Sequence, residues 1–171
     1  MSENILIVDK LKEKFSDSIE STKVFRGEIT VVVKKESIVD VCSFLRDNKS
    51  SKFNYLSDLC GVDKLAIDGT FEVVYHLYSI TFNNRLRLKS VITDSENPSI
   101  DTMCPVWPTA NWHEREVYDM FGIVFDGHPN LKRILTPEGF VGYPLRKDYP
   151  INGRQPENLK EIYRKDYDRN V

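Results

Sequence analysis

Residues 53–93 constrain the fold more than any other part of the chain. Three strand-like runs, 53–67, 70–82 and 85–93, follow one another with only short turn signals between them. Asp68-Gly69 reads as a two-residue hairpin turn and Asn83-Asn84 as the next reversal. The middle run is apolar on both parities, with Phe71, Val73, Tyr75 and Leu77 against Val74, Tyr78, Ile80 and Phe82. A strand of that kind sits centrally, with both faces largely covered. The third run alternates, with Leu86, Leu88 and Ile92 inward and Arg85, Arg87 and Lys89 outward. Basic outward positions blunt an exposed edge, so this run is expected at the edge of the sheet.

The preceding segment supplies the second layer. Ile5, Val8, Leu11 and Phe15 form a helical stripe over residues 4–16. Strands at 23–26 and 29–34 are joined by Gly27-Glu28, a Gly-X turn. Ser37 is placed to cap a second helix whose face carries Ile38, Val41, Cys42 and Leu45, and Asn48 stops it. The order α-β-β-α-β-β-β predicts an α+β domain, two layers of helix and sheet, with a largely antiparallel or mixed sheet.

A short helix is expected in 111–121, reached through a segment held extended by Pro105 and Pro108. Asn111 suits the N-cap, with Glu114 three residues later reaching back as in a capping box, and Gly122 closes the helix. His113, Val117, Met120 and Phe121 share one face, while Glu116 and Asp119 project elsewhere, at the surface. Beyond Gly122 the periodicity stops. Residues 126–156 hold five prolines and four glycines, yet also Leu131, Ile134, Leu135, Phe140, Val141, Tyr143, Leu145 and Tyr149. A linker with so many large apolar groups is not a disordered one. The division that follows is a domain over 1–125, including the short helix, and an extended partner-docking arm and tail over 126–171. Within the tail, 157–171 reads as a marginal helix.

The charge balance narrows the function. The net charge is −2, but residues 128–171 carry +3 and the remainder −5. So mild a basic excess favours an acidic partner surface and does not suit a nucleic-acid binder. No apolar run approaches the ~20 residues of a membrane span, and the start lacks the basic region of a signal peptide. Cys42, Cys60 and Cys104 are odd in number and widely spaced, which fits a reducing compartment and argues against both a disulfide framework and an iron–sulfur or zinc site.

Three kinds of catalytic centre compete for these residues. His113-Glu114 opens a zinc-protease pattern, but Val117 stands where its second histidine belongs. His76, mid-strand, and His128, before Pro129, would have to supply ligands from elsewhere. A carboxylate pair of Glu114 with Glu116 or Asp119 diverges in direction, and an Arg115–Asp119 pair on an exposed helix explains the same residues. Carboxylates so exposed rarely acquire the shifted acidity that proton transfer needs. Cys42 and Cys60 have the placement of inert thiols, and no Gly-rich loop is built for a phosphate or dinucleotide.

Glu114-Arg115-Glu116, then Asp119-Met120-Phe121, His128, Lys132 and Ile134-Leu135 resemble the signature of a family of NADH-quinone oxidoreductase components, the C subunit or 30 kDa subunit of respiratory complex I. The flanking W-P-T-A-N-W (107–112) and G-F-V-G-Y-P-L-R-K-D-Y-P (139–150) resemble it too. The resemblance implies a cofactor-free subunit in the peripheral arm of a proton-translocating enzyme, needed for assembly and for the module that reduces (ubi)quinone. FMN and iron–sulfur clusters would lie in partner subunits. The implied partners are the 49 kDa (D) quinone-site subunit, the terminal-cluster B subunit and the iron–sulfur subunits, with no nucleic acid and no membrane span of its own. It would sit on the cytoplasmic side of a bacterial inner membrane, peripheral through the complex. An unfused, bacterial or organelle-encoded chain is expected. On this reading Glu114, Arg115, Glu116, Asp119, His128, Lys132, Arg133, Arg146, Lys147 and Asp148 are signature or interface residues. The rival readings are a stand-alone hydrolase centred on His113, Glu114 and Glu116, or the equivalent subunit of a membrane-bound hydrogenase.

Overall fold

The computed structural model describes residues 2–152; the expectation for 157–171 lies outside them. A five-stranded mixed sheet has the order β1-β2-β5-β4-β3. Its strands are β1 (Ile19–Phe25), β2 (Glu28–Val33), β3 (Tyr55–Lys64), β4 (Thr70–Ser79) and β5 (Asn84–Ile92). Every pair in it is antiparallel except β2–β5, which runs parallel with Val31 opposite Leu88. Helices α1 (Ser2–Lys14) and α2 (Ile38–Asp47) supply the second layer. The α+β order predicted from the sequence is the observed one.

The core follows from period-2 alternation meeting period-3.6 stripes. Val31 and Val33 of β2, Leu88 and Ile92 of β5, and Phe71, Val73 and Tyr75 of β4 are fully buried, as are Ile38, Val41, Cys42 and Leu45 of α2. Each such aliphatic side chain contributes about 1.5–3 kcal/mol by leaving water. Leu11 of α1 is likewise buried. The opposite face of the sheet carries polar pairs, with Lys89 of β5 bonded to Glu72 of β4 at 2.8 Å.

Several local expectations are corrected. β5 lies inside the sheet, between β2 and β4, and the edges are β1 and β3. Its outward cations pair with acids on neighbouring strands: Arg87 with Glu28 at 2.5 Å, and Lys89 with Glu72. The first hairpin turns at Arg26-Gly27, one residue earlier than read, because both adopt positive φ (51° and 82°), as a type I′ turn requires. Asp68-Gly69 is not a two-residue turn. It ends a single helical turn, α3 (Leu65–Asp68), started by Asp63 Oδ1 accepting from the Leu65 N–H and closed by left-handed Gly69. β4 stops at Ser79, leaving Ile80 63% exposed. Ser37 takes the N-cap position of α2, but its side chain makes no capping bond and accepts instead from the Ser18 hydroxyl.

After β5 the chain forms β6 (Ser99–Asp101), crosses to α4 (Ala110–Phe121) and returns as β7 (Val124–Asp126), parallel to β6. Neither of these three-residue strands is long enough to announce itself in sequence. α4 packs on β3 at Gly61, where an added Cβ would lie 2.8 Å from the Phe121 ring and 3.1 Å from Val117 Cγ1.

Candidate functional site

The approach to α4 is fixed before the helix begins. Trp107, 3% exposed, donates its indole N–H to the Phe53 carbonyl at 3.1 Å, and Arg46 Nη1 donates to the Val106 carbonyl at 3.0 Å. The N-cap residue is Thr109, not Asn111, and it makes no side-chain capping bond. Asn111 is already helical, and its carbonyl lies 3.1 Å from His128 Nε2.

Glu114 therefore does something other than close a capping box. It is fully buried, and its carboxylate accepts from Thr102 Oγ1 at 2.5 Å and from the Met103 N–H at 2.6 Å. Burial raises its pKa above the usual carboxylate range, against the opposing pull of those two donors. His128 Nε2 stands 4.0 Å from Glu114 Oε2, and Cys104 Sγ lies 3.6 Å from the same oxygen. The three side chains have metal-ligand types, but their donors are spoken for. His128 uses Nε2 toward Asn111 and accepts the Asn130 N–H on Nδ1 at 3.0 Å. The cluster is a hydrogen-bonded clasp between α4, the loop before it and the turn after β7.

Asp119, which the sequence places at the surface beside Arg115, is instead fully buried and pairs with Arg133 at 2.8 Å. Its Oδ2 accepts three consecutive backbone N–H groups, Ile134 at 3.0 Å and Leu135 and Thr136 at 2.8 Å each. The Thr136 hydroxyl donates to Oδ1. Burial alone would raise this carboxyl, but the bonds from Thr136, Arg133 and Leu135 outweigh it and hold the value at about 2. Arg115 instead donates to the carbonyls of Lys132 (3.0 Å) and Arg133 (3.1 Å).

Further along, Arg146 Nε donates to the Phe121 carbonyl at 2.5 Å, where a cation suits the C-terminus of α4. The Leu145 N–H reaches Met120 O at 3.1 Å, and the Lys147 N–H reaches Asp63 Oδ2 at 2.7 Å. The Arg133 and Arg146 guanidinium groups lie 5.2 and 4.8 Å from the Tyr143 ring centroid. Tyr143 covers Gly122, whose φ of +75° and lack of a Cβ allow the close approach. Residues 131–149 are thus fastened to their own domain. Leu135, Val141 and Leu145 nonetheless face outward, 62, 60 and 51% exposed.

Of the ten sequence-derived residues, the structure joins Glu114 with His128, and Asp119 with Arg133. Arg115 and Arg146 bind carbonyls around them. Glu116, Lys132, Lys147 and Asp148 have exposed side chains. Thr102, Thr136 and Asp63 belong to the same network and escape sequence reasoning. Only Asp63 leaves a trace there, as a carboxylate on the inward parity of β3 with Leu59. The hydrolase centre dissolves: Glu114 points into the clasp, His113 toward Asp58 at 3.6 Å, and Glu116 is exposed.

The profile of the respiratory-chain NADH dehydrogenase 30 kDa subunit matches residues 31–155, which run from the second half of β2 through β7 and take in the clasp and the fastened arm. The chain belongs to that family. The NADH-quinone oxidoreductase C subunit of Geotalea uraniireducens is 51% identical over 160 residues, 94% of this chain and 96% of that relative. The C subunit of Geobacter sulfurreducens is 50% identical over 161 residues, 94% of this chain and 98% of its own length. A solved structure of a trypsin-resistant fragment (1-134) of Nqo5 superposes with a TM-score of 0.63 at 29% identity, covering 75% of this chain and 99% of the fragment. The matched region includes α4 and its carboxylates, so the two buried acids lie within the part of the chain that defines a 30 kDa subunit. No helix among the described residues is long and apolar enough to cross a membrane.

Proposed function

We propose that this chain is a peripheral-arm subunit of a proton-translocating NADH:quinone oxidoreductase, and that it holds no redox cofactor itself. Electrons would pass from NADH through FMN and iron–sulfur clusters in partner subunits to ubiquinone or a related quinone. The chain would serve assembly of the quinone-reducing module from the cytoplasmic side of a bacterial inner membrane. The observation that carries this reading is identity of about half with named C subunits over nearly the whole chain.

The geometry supports a docking role. Asp119, Arg133, Arg115 and Arg146 hold residues 131–149 in place, while Leu135, Val141 and Leu145 form an apolar outer surface for the 49 kDa (D) quinone-site subunit or the terminal-cluster B subunit. Glu116, Lys132, Lys147 and Asp148 would supply the polar rim, with rim charges governing encounter more than affinity. The test is a native gel of membranes carrying the tagged chain. Comigration with NADH:quinone reductase activity and with flavin and iron–sulfur subunits is expected. A band running as a free small protein without activity would refute the proposal.

A further inference from the structure

A second cluster of donor side chains lies away from the arm, on the outer face of the sheet. Asp58 of β3 stands directly across from His76 of β4, and Cys60 follows Asp58 by two residues. The period of two places all three on one face. A carboxylate oxygen of Asp58, Cys60 Sγ and one His76 ring nitrogen lie within 4.8 Å of one another. His113, in the first turn of α4, brings its Nδ1 to 3.6 Å from Asp58 Oδ1. Among the described residues no hydrogen bond engages the His76 ring or Cys60 Sγ. A cleft of about 410 Å³ opens beside Asp58 and His76. The nearest cations are engaged elsewhere, Arg87 with Glu28 and Lys89 with Glu72.

We propose that Asp58, Cys60, His76 and His113 form a structural Zn²⁺ site that ties α4 to the sheet. The donor set is one thiolate, one carboxylate and two imidazoles, which suits borderline-soft Zn²⁺ and not Mg²⁺ or Ca²⁺. Its two anions balance the ion's charge. Tetrahedral bonds of about 2.0–2.3 Å place donors about 3.3–3.8 Å apart, so Asp58, Cys60 and His76 draw in by about 1 Å on binding while the His113 ring, already beside Asp58, swings toward the other two. Side-chain rotation suffices, because the Asp58 and His113 side chains are 54 and 31% exposed. The Cys60 thiol becomes a thiolate and its proton passes to solvent. The Cys104–Glu114–His128 clasp differs, since internal hydrogen bonds already occupy Glu114 and both nitrogens of His128. With four protein ligands the site is closed, and it takes no part in electron transfer.

The experiment titrates the full-length, chelator-stripped chain with Co²⁺ as the probe, then displaces it with Zn²⁺. One equivalent should bind with intense tetrahedral d–d bands and a thiolate-to-cobalt charge-transfer band, both removed by Zn²⁺. Cys60→Ser should abolish the charge-transfer band, and Cys104→Ser should leave it intact. His76→Gln and His113→Gln should each weaken binding by more than about tenfold, at least the loss caused by removing an outer-shell partner. Circular dichroism confirms that these variants fold. Absence of the charge-transfer band in the unaltered chain overturns the proposal, as does its survival in Cys60→Ser or its loss in Cys104→Ser.

Discussion

At the residue scale, Asp119 carries the most weight, because one buried carboxylate receives Arg133, three backbone N–H groups and a hydroxyl. Asp119→Ala should cost about 3 kcal/mol, the penalty for leaving a half-buried cation and several donors unmatched. Urea unfolding reads the loss, and limited proteolysis within 131–149 should accelerate; unchanged cleavage there would show that Asp119 does not hold the segment. The same group sets an acid limit. Its folded value of about 2 lies below the ordinary 3.8, so its contribution is present above pH ~4 and lost as pH falls toward ~2, about 2 kcal/mol in all. Glu114 acts oppositely: its value is raised in the fold, so stability declines as pH climbs from the ordinary carboxylate value through the raised one. A pH series of unfolding curves should lose its acid limb in Asp119→Asn and its upper slope in Glu114→Gln. Neither carboxylate could be assigned from sequence. A capping box is a local pattern, whereas Thr102 lies twelve residues before Glu114 and Thr136 seventeen after Asp119.

At the scale of elements, the sequence is most legible where burial and periodicity are both local. The buried face of α2 is the one its spacing predicts, residue for residue. β5 is misplaced by its own pattern for a physical reason. Alternation reports that one face is wet, but not which strands lie alongside, and its cations are matched by acids on β2 and β4 instead of shielding an edge. The β2–β5 parallel pairing is equally invisible, since it joins strands separated by α2, β3, α3 and β4. Between elements the tightest point is Gly61. Gly61→Ala forces its Cβ against Phe121 and Val117 and should destabilise by about 1–3 kcal/mol, the usual cost of overpacking. A thermal midpoint equal to that of the unaltered chain would mean that α4 has slack against β3.

For the whole molecule, the proline-rich segment is legible as unlike a linker, but its attachment is not. The apolar side chains that sequence assigns together divide into two sets. Leu131, Ile134, Phe140, Tyr143 and Tyr149 are partly covered, while Leu135, Val141 and Leu145 are exposed. Replacing the exposed three with serine should change the isolated chain's stability by less than about 0.5 kcal/mol per site. If the docking proposal holds, the triple variant should also lower the yield of assembled NADH:quinone reductase on native gels. Normal assembly of that variant would place the contact elsewhere.

The Asp119 anchor has a consequence for how such a subunit meets its neighbours. A loose tail must lose conformational freedom when it docks, at about 1–2 kcal/mol per residue fixed in the backbone. Here the carboxylate holds residues 133–136 through bonds within the chain itself, and Arg146 and Asp63 hold 145–147. If the docking proposal holds, the contact surface is preorganised, and association resembles rigid-body docking more than coupled folding and binding. The heat-capacity change on association should then track the apolar area of the interface alone, with no added contribution from ordering the segment.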